Sequence, residues 1–468
     1  MGSSILSQAP RLLLSRLEDG SNATGLAVEA GHPRSIFSSS SHSEMPSLVH
    51  AQRLVNASYS ENSETENTEL VDLLVACVDA ISAGSVSAVN HLLARLGRLA
   101  SPEGESPMHR LAAYFAEGLA WRASRMWPHI YQPMQQKGGL ALGGEGWDDA
   151  ASAADSASFW QALNEATPLV KFSHFTANEV ILGAFEGEEA VHVIDLDIKQ
   201  GLQWPALFHG LATRNGGPPR HIRVTGVGRA REEVQEVGDR LMEFAEEIGL
   251  RLEFHGVVDR LEDVRLWMLH VKGNESAGRE AVAINCILQL HHSLGDSSGA
   301  SLRNLLELLR SARPKVVVMV EQEADCHDQP SLAARFPPAL RYFAALFDAL
   351  DDSLPPSSPS RRQIESHFAD HIRNIVACDG GQRVERYQPL RRWERLLSTA
   401  GFSCLPLTER CRLQAQLLLR AFSSNYRILP ELSPKLSQSP SCLPPGHLTL
   451  AWIDHPLLTL SAWTPSTG

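Results

Sequence analysis

The chain has 468 residues, with 54 acidic and 42 basic side chains and a net charge of −12. A chain of this length folds as one large domain with subdomains or as two domains, and its 43% of apolar residues is enough for a substantial core. The negative charge repels polyanions, so broad electrostatic binding to nucleic acid is not expected.

The sequence offers neither a membrane segment nor a disulfide framework. No apolar stretch reaches the roughly 18 residues that a transmembrane helix requires. The seven cysteines are scattered and never form a C-x-x-C pair. This pattern predicts reduced thiols in the cytosol or nucleus and argues against a zinc framework built on cysteine.

Residues 1–68 are rich in Ser, Asn and Glu and show weak apolar periodicity, which predicts a disordered segment. From residue 69 onwards, apolar side chains follow the period of an amphipathic helix. The same pattern continues in further segments and predicts an N-terminal helical cap over 69–131. A Gly- and Ala-rich stretch over 132–157 predicts a flexible insert.

Residues 158–468 alternate between short apolar runs and helical patterns. Such alternation is typical of βαβ units, so we expect an α/β core of Rossmann type with a mostly parallel sheet. The predicted strands are 191–196, 222–227, 252–258, 282–290, 316–320, 404–407, 448–452 and 458–463.

The turn after the first predicted strand decides whether this core holds a nucleotide-type cofactor. A dinucleotide or S-adenosylmethionine site requires several glycines there, because the backbone must approach the ligand closely. The turn holds only Gly201, which is followed by the bulky Gln203 and Trp204. The second predicted strand ends at Arg229 without the acid that would hold ribose hydroxyls. We therefore expect no bound cofactor, and a cofactor-binding protein is the alternative.

Two carboxylates, Asp195 and Asp197, end the first predicted strand. One interpretation is a ligand or metal site. The other is that Asp195 caps the next helix or pairs with a donor in the core. The Trp204-Pro205 pair favours the second interpretation, because Pro suits the first turn of a helix and Trp would fill the crevice.

No catalytic constellation emerges from the sequence, which contains no G-x-S-x-G, P-loop or H-E-x-x-H pattern. His291 and His292 stand at the end of the fourth predicted strand, where adjacent side chains point to opposite faces, so we expect them to share no metal ion. We expect His192 to be a satisfied core residue. The acidic cluster at 321–327 lacks the spacing of a calcium loop.

Two segments have the spacing L-x-x-L-L, which on an exposed helix can enter a groove of a partner. The alternative for each segment is a helix packed in the core. The candidate interaction leucines are Leu70, Leu73, Leu74, Leu302, Leu305 and Leu306.

Five motifs follow one another in order along residues 69–468. A leucine-rich region at 70–99 precedes a VHIID-like motif, and a second leucine-rich region follows at 237–269. A PFYRE-like region over 314–402 contains the run RVER, and a SAW motif comes last. The residues that carry the named motifs are Val191, His192, Val193, Ile194 and Asp195; Arg383, Glu385, Arg386 and Trp393; and Trp452, Ser461, Ala462 and Trp463. With these motifs in this order, the sequence resembles the GRAS family of plant regulators across residues 69–468.

The resemblance implies a methyltransferase-like α/β core with a helical cap, a nuclear location and a role in transcription. It implies DNA-binding transcription factors and other GRAS proteins as partners, in homo- or heterodimers, with promoter DNA contacted indirectly or weakly and no membrane. The run LDIKQGLQWP is similar to the scarecrow-like branch that includes dwarf-and-low-tillering-type proteins. Plant development or hormone signalling is the implied setting, with brassinosteroid signalling as one candidate pathway.

Two further hypotheses compete with a regulator. An S-adenosylmethionine-dependent methyltransferase would use the same fold, but the missing glycines and ribose acid argue against it. A receptor for a small apolar molecule would need a cavity near Asp195 and Trp204. The first 68 residues lack a DELLA-type motif, which argues against direct gibberellin-regulated turnover.

Overall fold

The computed structural model describes residues 61–131, 153–272, 280–296, 298–327, 329, 331–429 and 446–466. The predictions of disorder for 1–60 and of a flexible insert for 132–152 lie outside these residues. In the described part of the chain, no helix combines the length and the apolar character needed to cross a bilayer.

Helices precede the first strand, lie between several of the first five strands and recur after the fifth. The helices, in chain order, are α1 (Glu61–Ser82), α2 (Val86–Leu99), α3 (Pro107–Met126), α4 (Ala153–Ala166), α5 (Leu169–Ala184), α6 (Trp204–Thr213), α7 (Arg231–Glu247), α8 (Ala300–Ser311), α9 (Leu332–Ser353), α10 (Pro359–Ala377), α11 (Leu390–Thr399) and α12 (Glu409–Leu419).

One sheet runs through the α/β core. Its strands are β1 (Ala190–Asp195), β2 (His221–Gly228), β3 (Leu252–Val258), β4 (Ala281–Ile287), β5 (Val316–Gln322), β6 (Phe402–Leu405), β7 (Tyr426–Leu429), β8 (His447–Trp452) and β9 (His455–Pro465). They lie in the order β3-β2-β1-β4-β5-β9-β8-β7, and β6 pairs with β9.

The first five strands are mutually parallel, and β9 joins β5 in the antiparallel direction. Strands β1 and β5 bury nearly all their residues, as expected for parallel strands covered on both faces. Successive residues of β1 enter two separate core clusters, because side chains alternate across a sheet. The predicted Rossmann/methyltransferase-like, mostly parallel sheet with an N-terminal helical cap is confirmed.

The cap also uses helices from later in the chain. Helix α3 packs along α10 and against α9, both of which follow β5. Buried Arg110 in α3 donates from Nε to Glu365 Oε1 in α10 at 2.9 Å and from Nη2 to Asp351 Oδ1 in α9 at 2.7 Å. Phe115 in α3 meets Phe336 edge to face at 5.1 Å between ring centroids. Two stretches of chain on either side of the first five strands therefore build one helical layer.

Several predicted boundaries are corrected. Helix α1 begins at Glu61 instead of 69. Helix α4 begins at Ala153, within the predicted insert. Strand β4 stops at Ile287, because Leu288 takes a left-handed backbone conformation with a φ of 56°. The four-residue strand β7 was not predicted.

Candidate functional site at the carboxyl edge of the sheet

The carboxyl ends of β1 and β4 form the place where ligands bind in doubly wound sheets, because the strand order reverses between them. Asp195 ends β1, and Asn285 lies beside it in β4. The chain then turns so that Gln203, the residue before α6, and Trp204, its first residue, contact these two residues.

Asp195 pairs with donors in the core. Its Oδ2 accepts a hydrogen bond from Trp204 Nε1 at 3.0 Å, and its Oδ1 accepts one from Asn285 Nδ2 at 3.1 Å. The backbone N–H of Asp197 also donates to Oδ1, at 3.3 Å. Burial raises the pKa of Asp195 to about 6. Both carboxylate oxygens of Asp195 therefore accept hydrogen bonds within the protein. This agrees with the second interpretation, in which Asp195 pairs with a donor in the core.

Gln203 extends this network across three elements. Its Nε2 donates to Asn178 Oδ1 in α5 at 3.0 Å and to Asn285 Oδ1 at 3.2 Å. Asn285 Nδ2 returns a bond to Gln203 Oε1 at 3.0 Å, and Asn178 Nδ2 donates to the Gln203 carbonyl at 3.0 Å. Amide groups therefore satisfy one another where a cofactor would need free donors and acceptors.

Little space is left at this edge. The indole of Trp204 is fully buried, and the remaining cavity beside it has a volume of about 40 Å³. Pockets for cofactors and drug-sized ligands are typically about 300–1,000 Å³. Gly201 takes a φ of 67°, and a Cβ there would come within 2.8 Å of Val237 Cγ1. This glycine thus serves the turn and its packing on α7, and it does not open a path for a ligand.

A second polar cluster lies next along the same edge. After Leu288 the chain enters a 3-10 helix, Leu290–Gly295, which carries His291 and His292. Buried Glu321 in β5 accepts hydrogen bonds from the backbone N–H of Leu290 at 2.8 Å and from His291 Nδ1 at 2.7 Å. One glutamate therefore fixes both the start of this turn and the orientation of the first imidazole.

Both histidines face Glu385, contrary to the expectation of opposite faces. His291 Nε2 lies 3.5 Å from Glu385 Oε2, and His292 Nε2 lies 3.6 Å from Glu385 Oε1. The two imidazole centroids are 4.0 Å apart. The prediction was wrong because it placed the pair on a strand, whereas side chains in a 3-10 turn are not alternately opposed. His371 of α10 approaches the same carboxylate, with Nδ1 3.2 Å from Oε2.

The charges of this cluster shift its pKa values strongly. Burial lowers the pKa of His291, but the carboxylates of Glu321 and Glu385 outweigh burial and raise it to about 9. Burial raises the pKa of Glu385, but His371, His291 and His292 outweigh burial and hold it well below its usual range. The cluster therefore holds the imidazole of His291 and the carboxylate of Glu385 together in the protein interior.

Comparison with known proteins shows which family the chain belongs to. The GRAS domain family model matches residues 70–464. The chain belongs to the GRAS domain family. It is 46% identical to Scarecrow-like protein 28 of Arabidopsis thaliana over 385 residues, which are 81% of this chain and 56% of that protein. It is also 46% identical to Protein DWARF AND LOW-TILLERING of Oryza sativa subsp. japonica over 387 residues, which are 82% of this chain and 59% of that protein.

The matched region thus spans little more than half the length of these two relatives. A solved structure supports the same assignment. The crystal structure of SCL7 in Oryza sativa is 32% identical, covers 84% of this chain and 99% of its own, and superposes with a TM-score of 0.69.

The VHIID-like motif of this GRAS protein is strand β1. Val191 and Val193 enter one core cluster and Ile194 enters the other. His192 is buried, and its Nε2 lies 2.8 Å from Thr225 Oγ1. Burial lowers the pKa of His192 to about 3, so this imidazole is neutral near neutral pH.

The RVER run of the GRAS domain connects β5 to the cap. Arg383 donates to the carbonyl of Cys326 at 2.7 Å and to that of His327 at 3.1 Å, and burial lowers its pKa to about 10. Arg386 Nε donates to the carbonyl of Arg383 at 2.7 Å. Trp393, in α11, is buried in the core cluster opposite the cap. These contacts give Arg383 and Arg386 a positioning role.

The SAW motif of the GRAS domain lies within the sheet. Ser461, Ala462 and Trp463 of β9 pair with β5, and Trp463 Nε1 donates to Ser461 Oγ at 2.9 Å. Trp452 of β8 donates from Nε1 to Asp348 Oδ2 at 2.7 Å, which joins the sheet to α9.

The candidate interaction leucines do not form an exposed face. In the described part of the chain they all lie in the hydrophobic core, which is the alternative considered for each L-x-x-L-L segment. The buried residues are Leu70, Leu73, Leu74, Leu302, Leu305 and Leu306. A helix repeats its inward face every three to four residues, so L-x-x-L-L spacing by itself describes a buried stripe equally well.

Other apolar side chains are exposed, and sequence reasoning missed them. Trp267 lies on a 3-10 turn with 75% of its surface exposed. Leu413 and Leu417 are 50% and 55% exposed on α12. Their positions are one helical turn apart, so they share a face. The leucines of α12 stand among polar residues at regular spacing, but only the packing of α12 on α5 and β7 decides which leucines point outwards.

Proposed function

We propose that this GRAS protein is a nuclear transcription regulator that acts through protein–protein interaction. Its partners are DNA-binding transcription factors and other GRAS proteins, and promoter DNA is contacted indirectly or weakly. The family match over residues 70–464 supports this role. The name of the relative DWARF AND LOW-TILLERING describes plant form, which supports a setting in plant development or hormone signalling.

The observation that carries the proposal is the filled strand-end crevice. Asp195, Gln203 and Trp204 occupy the position of a cofactor. Trp204 donates to Asp195, and Asn285 hydrogen-bonds both Asp195 and Gln203. A cavity of about 40 Å³ leaves no room for a nucleoside-sized ligand. The filled crevice supports the proposal that this fold serves as a platform for other proteins and has no catalytic activity.

Charge and exposed apolar side chains support recognition of proteins over recognition of DNA. The net charge of −12 opposes a phosphate backbone. Trp267 is of the residue type that most often anchors an interface, and its exposure leaves it available for contact.

The experiment is co-purification of the full-length chain from plant nuclei, followed by a reporter assay with the DNA-binding factor recovered. We expect Trp267→Ala, or Leu413→Ala combined with Leu417→Ala, to lose at least one partner and to lower reporter activity. Trp267→Phe is the matched control, because it keeps an aromatic ring. Thermal unfolding of each variant reports whether its fold is intact. Retention of every partner and of full reporter activity by both Ala variants would contradict the proposal.

Titration with S-adenosylmethionine separates the regulator from the methyltransferase alternative. We expect no heat of binding at millimolar cofactor, because Trp204 fills the required space. Saturable binding with one molecule per chain would restore the enzyme hypothesis.

A further inference from the structure

Two imidazoles and one carboxylate converge where β4, β5 and the RVER run meet. Their ligand atoms, in His291, His292 and Glu385, all lie within 4.8 Å of one another. We propose that these three residues bind one divalent transition-metal ion, with zinc as the first candidate, and that the ion ties the RVER run to the carboxyl edge of the sheet. This site is separate from the filled cofactor crevice.

The distances suit tetrahedral coordination. Zinc binds imidazole nitrogen at about 2.0–2.1 Å and carboxylate oxygen at about 2.0–2.2 Å, so neighbouring ligand atoms of a tetrahedron lie roughly 3.3–3.5 Å apart. His291 Nε2 lies 3.5 Å from Glu385 Oε2 and His292 Nε2 lies 3.6 Å from Glu385 Oε1, so the imidazoles approach different oxygens of one carboxylate. One ligand atom from each residue can be chosen so that all three lie within 4.8 Å of one another. Small side-chain adjustments would therefore bring all three atoms within bonding distance of one ion.

Two buried atoms at this site face each other without a well-formed hydrogen bond. Within the described part of the chain, His291 Nε2 and Glu385 Oε2 lie 3.5 Å apart and meet no hydrogen-bond geometry, although His371 Nδ1 also lies 3.2 Å from that oxygen. Both side chains are almost fully buried. An unsatisfied buried polar atom is costly, and two such atoms side by side are rarer still. A cation between them satisfies both.

The surrounding residues resemble the outer shell of a metal site. Histidines that bind metal usually donate their second ring N–H to a carboxylate, which fixes the tautomer. His291 Nδ1 makes this contact with Glu321 Oε2 at 2.7 Å. The ion would displace the proton from His291 Nε2 to solvent and bind the lone pair that this leaves facing Glu385. The two carboxylates, Glu321 and Glu385, also balance the double charge of the ion.

The site has an entry path and a preference among metals. The side chain of His292 is 35% exposed, so it connects the buried pair with solvent. Two nitrogen donors and one oxygen donor suit zinc and its transition-metal neighbours, whereas magnesium and calcium prefer oxygen alone. The fourth position is left for water.

The test uses the full-length chain without a polyhistidine tag, treated with chelator and then titrated with zinc chloride by calorimetry. We expect one ion per chain and a rise in the thermal midpoint with added zinc, because the ion binds only the folded site. With cobalt(II) in place of zinc, we expect the intense visible absorption of a four-coordinate ion.

His292→Gln is the decisive variant, because the side chain is partly exposed and its loss should leave the fold intact. We expect it to weaken zinc binding at least tenfold and to remove the zinc-dependent rise in thermal midpoint. His209→Gln, the same change at an exposed histidine of α6, should bind zinc as the wild type does. Glu321→Gln should weaken binding by about 10–100-fold through the outer shell.

Either of two results would overturn the proposal. One is the absence of stoichiometric zinc binding by the wild type, which would leave a proton on His291 as the cation between the carboxylates. The other is unchanged affinity in His292→Gln. Both measurements concern zinc alone, so a negative result leaves the proposed regulatory function untouched.

Discussion

At the scale of single residues, the hydrogen bond from Trp204 to Asp195 has consequences for both side chains. Trp204→Phe keeps most of the buried ring but removes the donor to Asp195 Oδ2. We expect a loss of about 1–3 kcal/mol in the free energy of unfolding, because a buried carboxylate oxygen is left without a partner. The pKa of Asp195 should also rise above its value of about 6.

Urea denaturation and an NMR titration of the aspartate carboxyls measure these two effects. Trp267→Phe makes the same change at an exposed indole, so its stability should stay within about 0.5 kcal/mol of the wild type. If Trp204→Phe unfolds at the wild-type urea concentration, the hydrogen bond does not hold Asp195 in the core.

Asp348 gives a prediction for pH. Burial raises the pKa of its carboxyl from 3.8 to about 6, despite the hydrogen bond from Trp452. The folded protein therefore holds this proton more tightly than the unfolded chain, and Asp348 makes folding less favourable as the pH rises from about 4 to about 6. Relative to Asp348→Asn, the wild type should lose about 1–3 kcal/mol of stability across that window.

Urea denaturation of both proteins at a series of pH values measures the difference, and the other titrating groups cancel in it. Parallel stability curves for wild type and Asp348→Asn would show that Asp348 titrates normally in the folded protein.

Local sequence predicted some of these residues and missed others. The turn holds a single glycine, Gly201, beside the bulky Gln203 and Trp204. This was enough to favour a filled crevice, because large side chains at that turn occupy the space that a ligand would need. The geometry of His291 and His292 was not predictable in the same way. It depends on the left-handed backbone at Leu288 and on Glu385, which lies nearly a hundred residues further along the chain.

At the scale of elements, α1 and α12 allow a buried leucine stripe to be compared with an exposed leucine face. Leu74 is fully buried in α1. Leu74→Ala should therefore cost about 2–5 kcal/mol in the free energy of unfolding, through lost burial and a new cavity. Leu413→Ala on the exposed face of α12 should change it by less than about 0.5 kcal/mol.

Chemical denaturation of the two variants makes this comparison. A mild effect at Leu74, with lost partner binding in a fully folded protein, would restore the L-x-x-L-L segment as an interaction surface.

Element boundaries show where sequence patterns fail for physical reasons. The apolar run from Val282 to Leu290 predicted one strand, but a single residue with positive φ ended it at Ile287. Strand β7 has only four residues, and it forms because β8 offers an open edge for pairing. The central strands β1 and β5 were predictable because strands buried on both faces are apolar throughout.

At the scale of the whole molecule, the helical layer depends on charges brought together from distant parts of the chain. Arg110 of α3 is buried between Glu365 and Asp351, and Arg361 Nη1 also reaches Asp351 Oδ1 at 3.0 Å. Arg110→Met should cost about 3–5 kcal/mol in the free energy of unfolding, because it leaves Glu365 buried without its main partner.

Arg95→Met provides the control, since the pair of Arg95 with Glu69 is exposed and should contribute about 0–1 kcal/mol. Thermal and urea unfolding of both variants measure the difference. Equal stabilities would show that α3 is held to α9 and α10 by apolar packing alone.

The position of β9 has a consequence for synthesis on the ribosome. Strand β5 buries all seven of its residues, yet the neighbour that covers one of its edges is not made until the ribosome has passed residue 465. For well over a hundred codons, the nascent chain therefore carries an apolar strand edge that invites pairing with other chains. A stop codon that removed β9 would leave that edge permanently open. We expect such a product to be recognised by chaperones and proteases even though the Asp195 network and the cap helices would be complete.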